Sequence, residues 1–214
     1  MSPKSIQYEI KTERLFLRPK RMEDVSRVFE ILNENPEMTR FMSFDPPEKI
    51  EDTQKFFLEK EKEFPEKSVV WSIFFQDKLV GIISLEDICR TQNAWKIDRA
   101  ELGYWLDPLF HGQGIMTEAG QAVLAFGFEK LGLHKITVGH LPQNSASQRV
   151  IEKLGFRFVG ELRDHFFRFG QWWNDKQYEM IVDEFQKQDS GKNLKFSLAK
   201  KFWMRNILQS KNTS

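Results

Sequence analysis

The 214-residue sequence predicts an α+β domain, a mixed sheet of about seven strands flanked by about four helices. Three observations carry that class. Strand-like and helical segments follow one another as strand, two helices, three strands, helix, strand, helix, two strands. That order holds too many helices for a sandwich and alternates too irregularly for a doubly wound sheet. The apolar runs 69–75 and 79–88 are joined across Gln76-Asp77-Lys78, a hairpin signature. The run 98–106 stops at Asp107-Pro108 and passes through Gly112 and Gly114 into a helical pattern.

Taken in order, Leu15 and Leu17 before Arg18-Pro19 give the opening strand, and Val25, Val28, Phe29 and Leu32 mark one face of the first helix. A second, charge-rich helix runs from about Glu48 to Phe64 and is ended by Pro65. After the hairpin, the aromatic run Glu101-Leu102-Gly103-Tyr104-Trp105-Leu106 reads as a strand. Ala119, Ala122, Val123 and Phe126 then fall at helical spacing, with Glu118 near the positive end and Gly132 past the last turn. Residues 135–141 alternate as a strand into Pro142; Asn144 and Ser145 can cap a helix that ends at Gly155. Residues 156–162 and 177–182 supply the last two strands, separated by an aromatic, charged loop.

The strand-to-helix connection His111-Gly112-Gln113-Gly114-Ile115-Met116-Thr117 is the most informative segment. Its two glycines permit positive φ, so successive N–H groups can converge on one point, and a helix N-terminus adds about half a positive charge there. This is a way to hold phosphate; a tight connection without a ligand is the other reading of the same residues. The third glycine of a dinucleotide fingerprint is missing, and no Gly-Lys-Ser/Thr occurs in the loop.

Composition bounds the remainder. One cysteine, Cys89, excludes an intramolecular disulfide, and no Cys/His cluster has zinc spacing, so no metal is expected. No apolar run reaches the ~18 residues of a transmembrane helix, and Met1-Ser2-Pro3-Lys4 opens no signal sequence, which points to a cytoplasmic protein. The net charge of +1 conceals an asymmetry: residues 190–214 carry six Lys or Arg and no acid, leaving the body at −5. An acidic body argues against nucleic acid as a partner.

Three segments together resemble the GNAT acetyltransferase superfamily: the strand 101–106, the glycine loop opening on Thr117-Glu118-Ala119, and Asn144-x-x-Ser147 ahead of Glu152-Lys153-Leu154-Gly155-Phe156. With Thr12-Glu13-Arg14-Leu15-x-Leu17-Arg18, they are similar to the Rim-type branch, named for enzymes that acetylate ribosomal-protein N-termini. The resemblance covers residues 8–184 and implies a mostly antiparallel mixed sheet and acetyl-CoA as co-substrate. It implies an acceptor amine as well, of a protein N-terminus or of a small molecule. His111, Gly112, Gln113, Gly114, Ile115, Met116 and Thr117 would cradle the pyrophosphate, and Trp105 and Leu106 would offer backbone N–H to the thioester oxygen. Asn144 would contact the pantetheine arm or cap its helix. Ser147 is the implied proton donor to the thiolate, set against an ordinary first-turn serine.

Three positions depart from the family pattern, the first being His111, which opens the loop where Gln or Arg is usual. Met116 closes the loop where glycine or alanine is usual, which requires its side chain to point into the helix core. Ile151 stands where many relatives carry a tyrosine acid. For the base, Glu101 resembles a position from which relatives work through water, against a strand-edge glutamate paired with Arg99; Asp164 and His165 are alternatives, and Phe166-Phe167 stands where some Rim-type enzymes place an acid. Without an obvious strong base, the chain suits α-amines, roughly 10% neutral at pH 7, better than lysines, and its acidic body suits cationic amines. Trp71, Trp95, Trp172 and Trp173 are candidates for an acceptor groove or for core, while His134 and His140 read as structural. Leu194, Leu198, Phe202, Trp203, Ile207 and Leu208, among lysines, describe a basic amphipathic extension over 190–214. It would pack on the domain or on a second subunit, which makes a homodimer possible, or bind an acidic partner. The alternative function is a non-catalytic acyl-CoA-binding module whose tail engages a partner.

Overall fold

The computed structural model describes residues 6–191 as one eight-stranded sheet with helices on both faces. The chain runs β1 (Ile10–Lys11), β2 (Leu15–Pro19), α1 (Val25–Glu34), α2 (Ile50–Glu63), β3 (Val69–Phe75), β4 (Lys78–Gln92) and β5 (Trp95–Leu106). It continues as α3 (Ile115–Glu129), β6 (Lys135–His140), α4 (Ser145–Leu154), β7 (Arg157–Arg168), β8 (Gln171–Ile181) and α5 (Val182–Gly191). The strands lie in the order β1-β2-β3-β4-β5-β6-β8-β7, and every neighbouring pair is antiparallel apart from β5 and β6.

Two cores sandwich the sheet. On one face α3 and α4 bury Ile115, Val123, Leu124, Ile151 and Leu154 against the inward residues of β2 to β6. On the other, α1 presents Val25, Val28, Ile31 and Leu32, with α2 adding Phe57, to Val70, Leu79 and Ile82. The helical spacing read from the sequence is therefore the spacing of buried residues, since an amphipathic helix is held chiefly by its packed face. The entry to α1 is fixed by Arg18, which donates to both Asp24 carboxylate oxygens at 2.9 and 2.7 Å, and by Ser72 Oγ at 2.7 Å from Asp24.

The fold departs from the sequence reading at four places. An eighth strand, β1, and a fifth helix, α5, are added. The central hairpin is longer, with β4 reaching Gln92 and β5 beginning at Trp95. The expected aromatic loop between the last two strands is itself strand: β7 extends to Arg168, turns through Phe169 and Gly170 at φ 53° and 74°, and returns as β8. Because β7 is an edge strand exposed along nearly its whole length, it has no buried face to impose an alternating pattern. Asp164 and His165 thus sit on a strand, at an irregularity where Asp164 has φ 49°. The basic extension lies outside the described residues except for Ser190 and Gly191, which end α5. Among the described residues no helix is long and apolar enough to cross a membrane.

The parallel pairing of β5 with β6 lasts three residues, Arg99↔Lys135, Ala100↔Ile136 and Glu101↔Thr137. Beyond it β5 stays bonded to β4 through Leu106, and β6 to β8 through His140, so the sheet opens along a seam between them.

Candidate active site

The seam lies within a cleft of about 1380 Å³ that is lined from both faces of the sheet. Side-chain alternation divides its walls. Tyr104 shares the α3/α4 face with Leu102 and Leu106, whereas Glu101, Gly103 and Trp105 point to the α1/α2 face. The register with β6 and β8 puts Thr137, Gly139, Gln177 and Asp175 on the same face as Glu101.

At one end, Gly112 and Gly114 adopt φ of 74° and 76°, and a Cβ at Gly112 would meet nothing within 4 Å. No backbone N–H from Gly112 to Thr117 has an acceptor among the described residues; the first bond of α3 is Glu118 N–H to Gly114 O at 3.0 Å. Six donors at a helix N-terminus are therefore without an acceptor among the described residues, and five of their residues line the cleft, which suits an anion. The side chains of Ile115 and Met116 are buried in the core, so Met116 leaves its backbone free in the loop. His111 Nε2 donates to Leu106 O at 2.9 Å, and Gln113 Nε2 to Leu109 O at 3.3 Å, so both side chains brace the connection. Glu118 faces away from the loop's open side: it accepts from Thr12 Oγ1 at 2.6 Å and Arg14 Nε at 2.7 Å.

Beside the seam, Tyr104 OH and Ser147 Oγ are 2.8 Å apart. Burial, only partly offset by the Ser147 hydrogen bond, pushes the Tyr104 phenol up to about 12. The phenol therefore stays protonated and keeps its hydrogen bond to the α4 end. Asn144 Oδ1 accepts the Ser147 N–H at 3.0 Å, so this asparagine caps α4, the second of the two roles open to it.

The opposite face is acidic. Glu101 is open to the cleft's solvent but walled by protein; that desolvation, then the Asp87, Asp175 and Glu86 carboxylates, raises its pKa above the usual range. It makes no ion pair with Arg99 or any other cation among the described residues. Asp175 on β8 is 4% exposed, and burial raises its carboxyl as well, against the opposing pull of Gln177, His165 and His140. Across the cleft mouth, Arg168 at the end of β7 donates to Thr39 O, Met42 O and Phe44 O and pairs with Asp45 at 2.7 Å. This ties the β7–β8 hairpin to the segment between α1 and α2.

The structure brings together the predicted residues Glu101, Trp105, Leu106, His111, Gly112, Gly114, Ile115, Met116, Thr117, Asn144 and Ser147 along one cleft. It separates others. Asp164 N–H bonds Asn174 Oδ1 and His165 stacks edge-on with Phe166, both exposed and neither lining the cleft. Of the four tryptophans offered for a groove, Trp71 is core, Trp95 is 77% exposed at the β4–β5 turn, Trp172 packs on Phe167 outside, and Trp173 alone lines the cleft. His140 is buried with Nε2 3.3 Å from Tyr178 OH, as a structural residue would be. Cys89 is unpaired. Sequence reading missed Asp175, Arg168 and the phenol of Tyr104. No motif spacing marks the first two, and the third needed the fold to show its partner.

The family model described as Acetyltransferase (GNAT) domain matches residues 14–157. The Probable N-acetyltransferase YjcK of Bacillus subtilis (strain 168) is 30% identical over 185 residues, spanning 84% of this chain and 99% of that protein. A RimL ribosomal L7/L12 alpha-N-protein acetyltransferase in complex with Coenzyme A is similar in structure, with TM-score 0.75, 22% identity, and coverage of 82% of this chain and 99% of that one. The spermidine N-acetyltransferase from Vibrio cholerae, in complex with CoA and spermine, gives TM-score 0.71 and 21% identity over 82% of this chain and 99% of that one.

Proposed function

The chain belongs to the GNAT acetyltransferase family, and from that premise we propose that it transfers an acetyl group from acetyl-CoA to a primary amine, by direct attack on the thioester. The observation that carries the proposal is the open seam between β5 and β6. It has an unpartnered N–H cradle and a serine hydroxyl on one side of the sheet and carboxylates on the other. The loop from His111 to Thr117 holds the pyrophosphate through backbone N–H groups. The β5 edge at Trp105 and Leu106 meets the thioester, and Ser147 gives its proton to the departing thiolate. Glu101 and Asp175 stand on the acceptor side, where they receive a cationic amine and its proton.

The acceptor we favour is a peptide or protein N-terminal α-amine, which needs less help to lose its proton than a lysine does. The Glu101 and Asp175 carboxylates on this wall, with Asp87 close enough to act on Glu101 and Glu86 held by Lys60 at 2.7 Å, favour a second reading, a small polycationic amine. The test supplies acetyl-CoA with a short peptide bearing a free α-amine, the same peptide N-terminally blocked but with a lysine, and spermidine. Thiol release and product mass are followed. We expect acetylation of the α-amine peptide, lost in Ser147→Ala and in Gly114→Leu, the latter through loss of acetyl-CoA binding. Faster turnover of spermidine selects the second reading. Tight acetyl-CoA binding without turnover of any amine would leave an acyl-CoA-binding module instead.

A further inference from the structure

We propose that the Asp175 carboxylate, seated over Gly139 beside the open seam, takes the proton from the acceptor amine, and that Glu101 draws the cation in without deprotonating it; this rests on the transferase reading above. Four carboxylate side chains are buried among the described residues. Asp24 is paired with Arg18, Asp98 with Lys96 and Arg90, and Asp107 with Arg27. Asp175 has no cation within ion-pair distance among the described residues, and its hydrogen-bond partner is the neutral Gln177 amide. A buried carboxylate without a cation is costly to keep, and a fold keeps such groups most often where chemistry uses them.

Its seat is specific. A Cβ placed on Gly139 would lie 2.9 and 3.0 Å from the two Asp175 carboxylate oxygens, so the bare glycine is what lets the carboxylate settle there. Gly139 belongs to the part of β6 that has already parted from β5, whereas Glu101 pairs with Thr137 at the last closed position. Asp175 therefore borders the opening itself, and Glu101 stands at its threshold, open to solvent. The titratable groups whose field reaches Asp175 are His140 from β6, His165 from β7 and Glu101 from β5. Burial holds the Asp175 carboxyl above the ordinary range, closer to the pKa of the ammonium it must deprotonate.

The protons balance. One leaves the ammonium for Asp175, and the nitrogen lone pair forms the C–N bond. As the C–S bond breaks, the second excess proton on nitrogen passes through Ser147 to the thiolate. The products are amide and free thiol, and Asp175 returns its proton to solvent.

Asp175→Asn and Asp175→Ser test this beside Glu101→Gln and wild type, with the α-amine peptide and spermidine as probes. We expect both Asp175 variants to lose about a hundredfold or more in kcat/KM for the amine at pH 7 and to recover as the pH nears the amine's own pKa. Calorimetric acetyl-CoA affinity should not change, and Tm at pH 8 should equal or exceed that of wild type, because an unpaired buried charge has been removed. Glu101→Gln should mainly raise KM for the amine. Turnover within about threefold of wild type, a loss equal at every pH, or a fall in Tm would each overturn the assignment. Those results leave the transferase reading standing. That reading fails separately, and takes this one with it, if wild type binds acetyl-CoA and acetylates neither probe.

Discussion

Tyr104 is the phenol beside Ser147, and it does not replace the acid that Ile151 lacks. A phenol held at about 12 by burial is a poor proton donor to a thiolate, yet a dependable hydrogen-bond donor to its neighbour. Tyr104 OH and Ser147 Oγ are 2.8 Å apart and either can donate; with the phenol as donor, the serine proton is left for the seam. Tyr104→Phe should therefore lower kcat by about tenfold to a hundredfold while acetyl-CoA affinity by calorimetry moves less than about threefold. Equal losses in both would mark the phenol as a packing residue. Ser147 and Asn144 were legible in the sequence because a capping asparagine three residues before a serine is a local pattern, and the structure keeps it local. Asp175 was not, because what distinguishes it is a missing cation and a glycine on another strand, and neither is a property of neighbouring residues.

Between elements, the glycine loop is anchored by a turn about a hundred residues away in sequence. Thr12 Oγ1, Arg14 N and Arg14 Nε all donate to the Glu118 carboxylate, and Arg14 Nη1 reaches Gln113 O at 3.1 Å. Burial alone would raise the Glu118 carboxyl, but the Thr12 and Arg14 hydrogen bonds outweigh it and hold it below the ordinary 4.5. A depressed carboxyl contributes stability that is fully present above the unfolded value and is lost as pH falls through the folded one. Denaturation midpoints of wild type should therefore drop as the pH falls below 4.5, whereas those of Glu118→Gln should lack this contribution and change less over the same window. Parallel curves for the two proteins would refute the tie. Legibility divides along the same line. The hairpin of β3 and β4 could be read because burial makes each a continuous apolar run, α1 because its buried residues recur at helical spacing, and α4 by its capping Asn144 and terminal Gly155. The extended β7–β8 arm could not, since an exposed edge strand carries aromatics and charges without order. That misreading placed Asp164 and His165 in a loop, and hid Arg168 at the hairpin end.

For the whole molecule, every group assigned a role lies between residues 8 and 184, the span we propose as the acetyltransferase domain. The sheet order puts the N–H cradle on one side of the seam and Asp175 on the other. The sequence could suggest the cradle and Glu101 but not Asp175, nor how they meet, which depends on a parallel register only three residues long. α5 closes the described fold by stacking Phe185 on Phe128 with ring centroids 5.0 Å apart. If the domain is self-sufficient, a chain ended after Gly191 should fold with an unchanged Tm and bind acetyl-CoA within about threefold of full length at physiological salt. Charge is where it should differ. Removing the six cations of 192–214 takes the net charge from +1 to −5 and should weaken attraction for an anionic nucleotide. Stopped-flow association of acetyl-CoA should accordingly slow at low ionic strength and converge with full length as salt is added. A truncated chain that fails to fold or to bind would show that the basic extension belongs to the acetyltransferase unit, and would move the proposed boundary to the end of the chain.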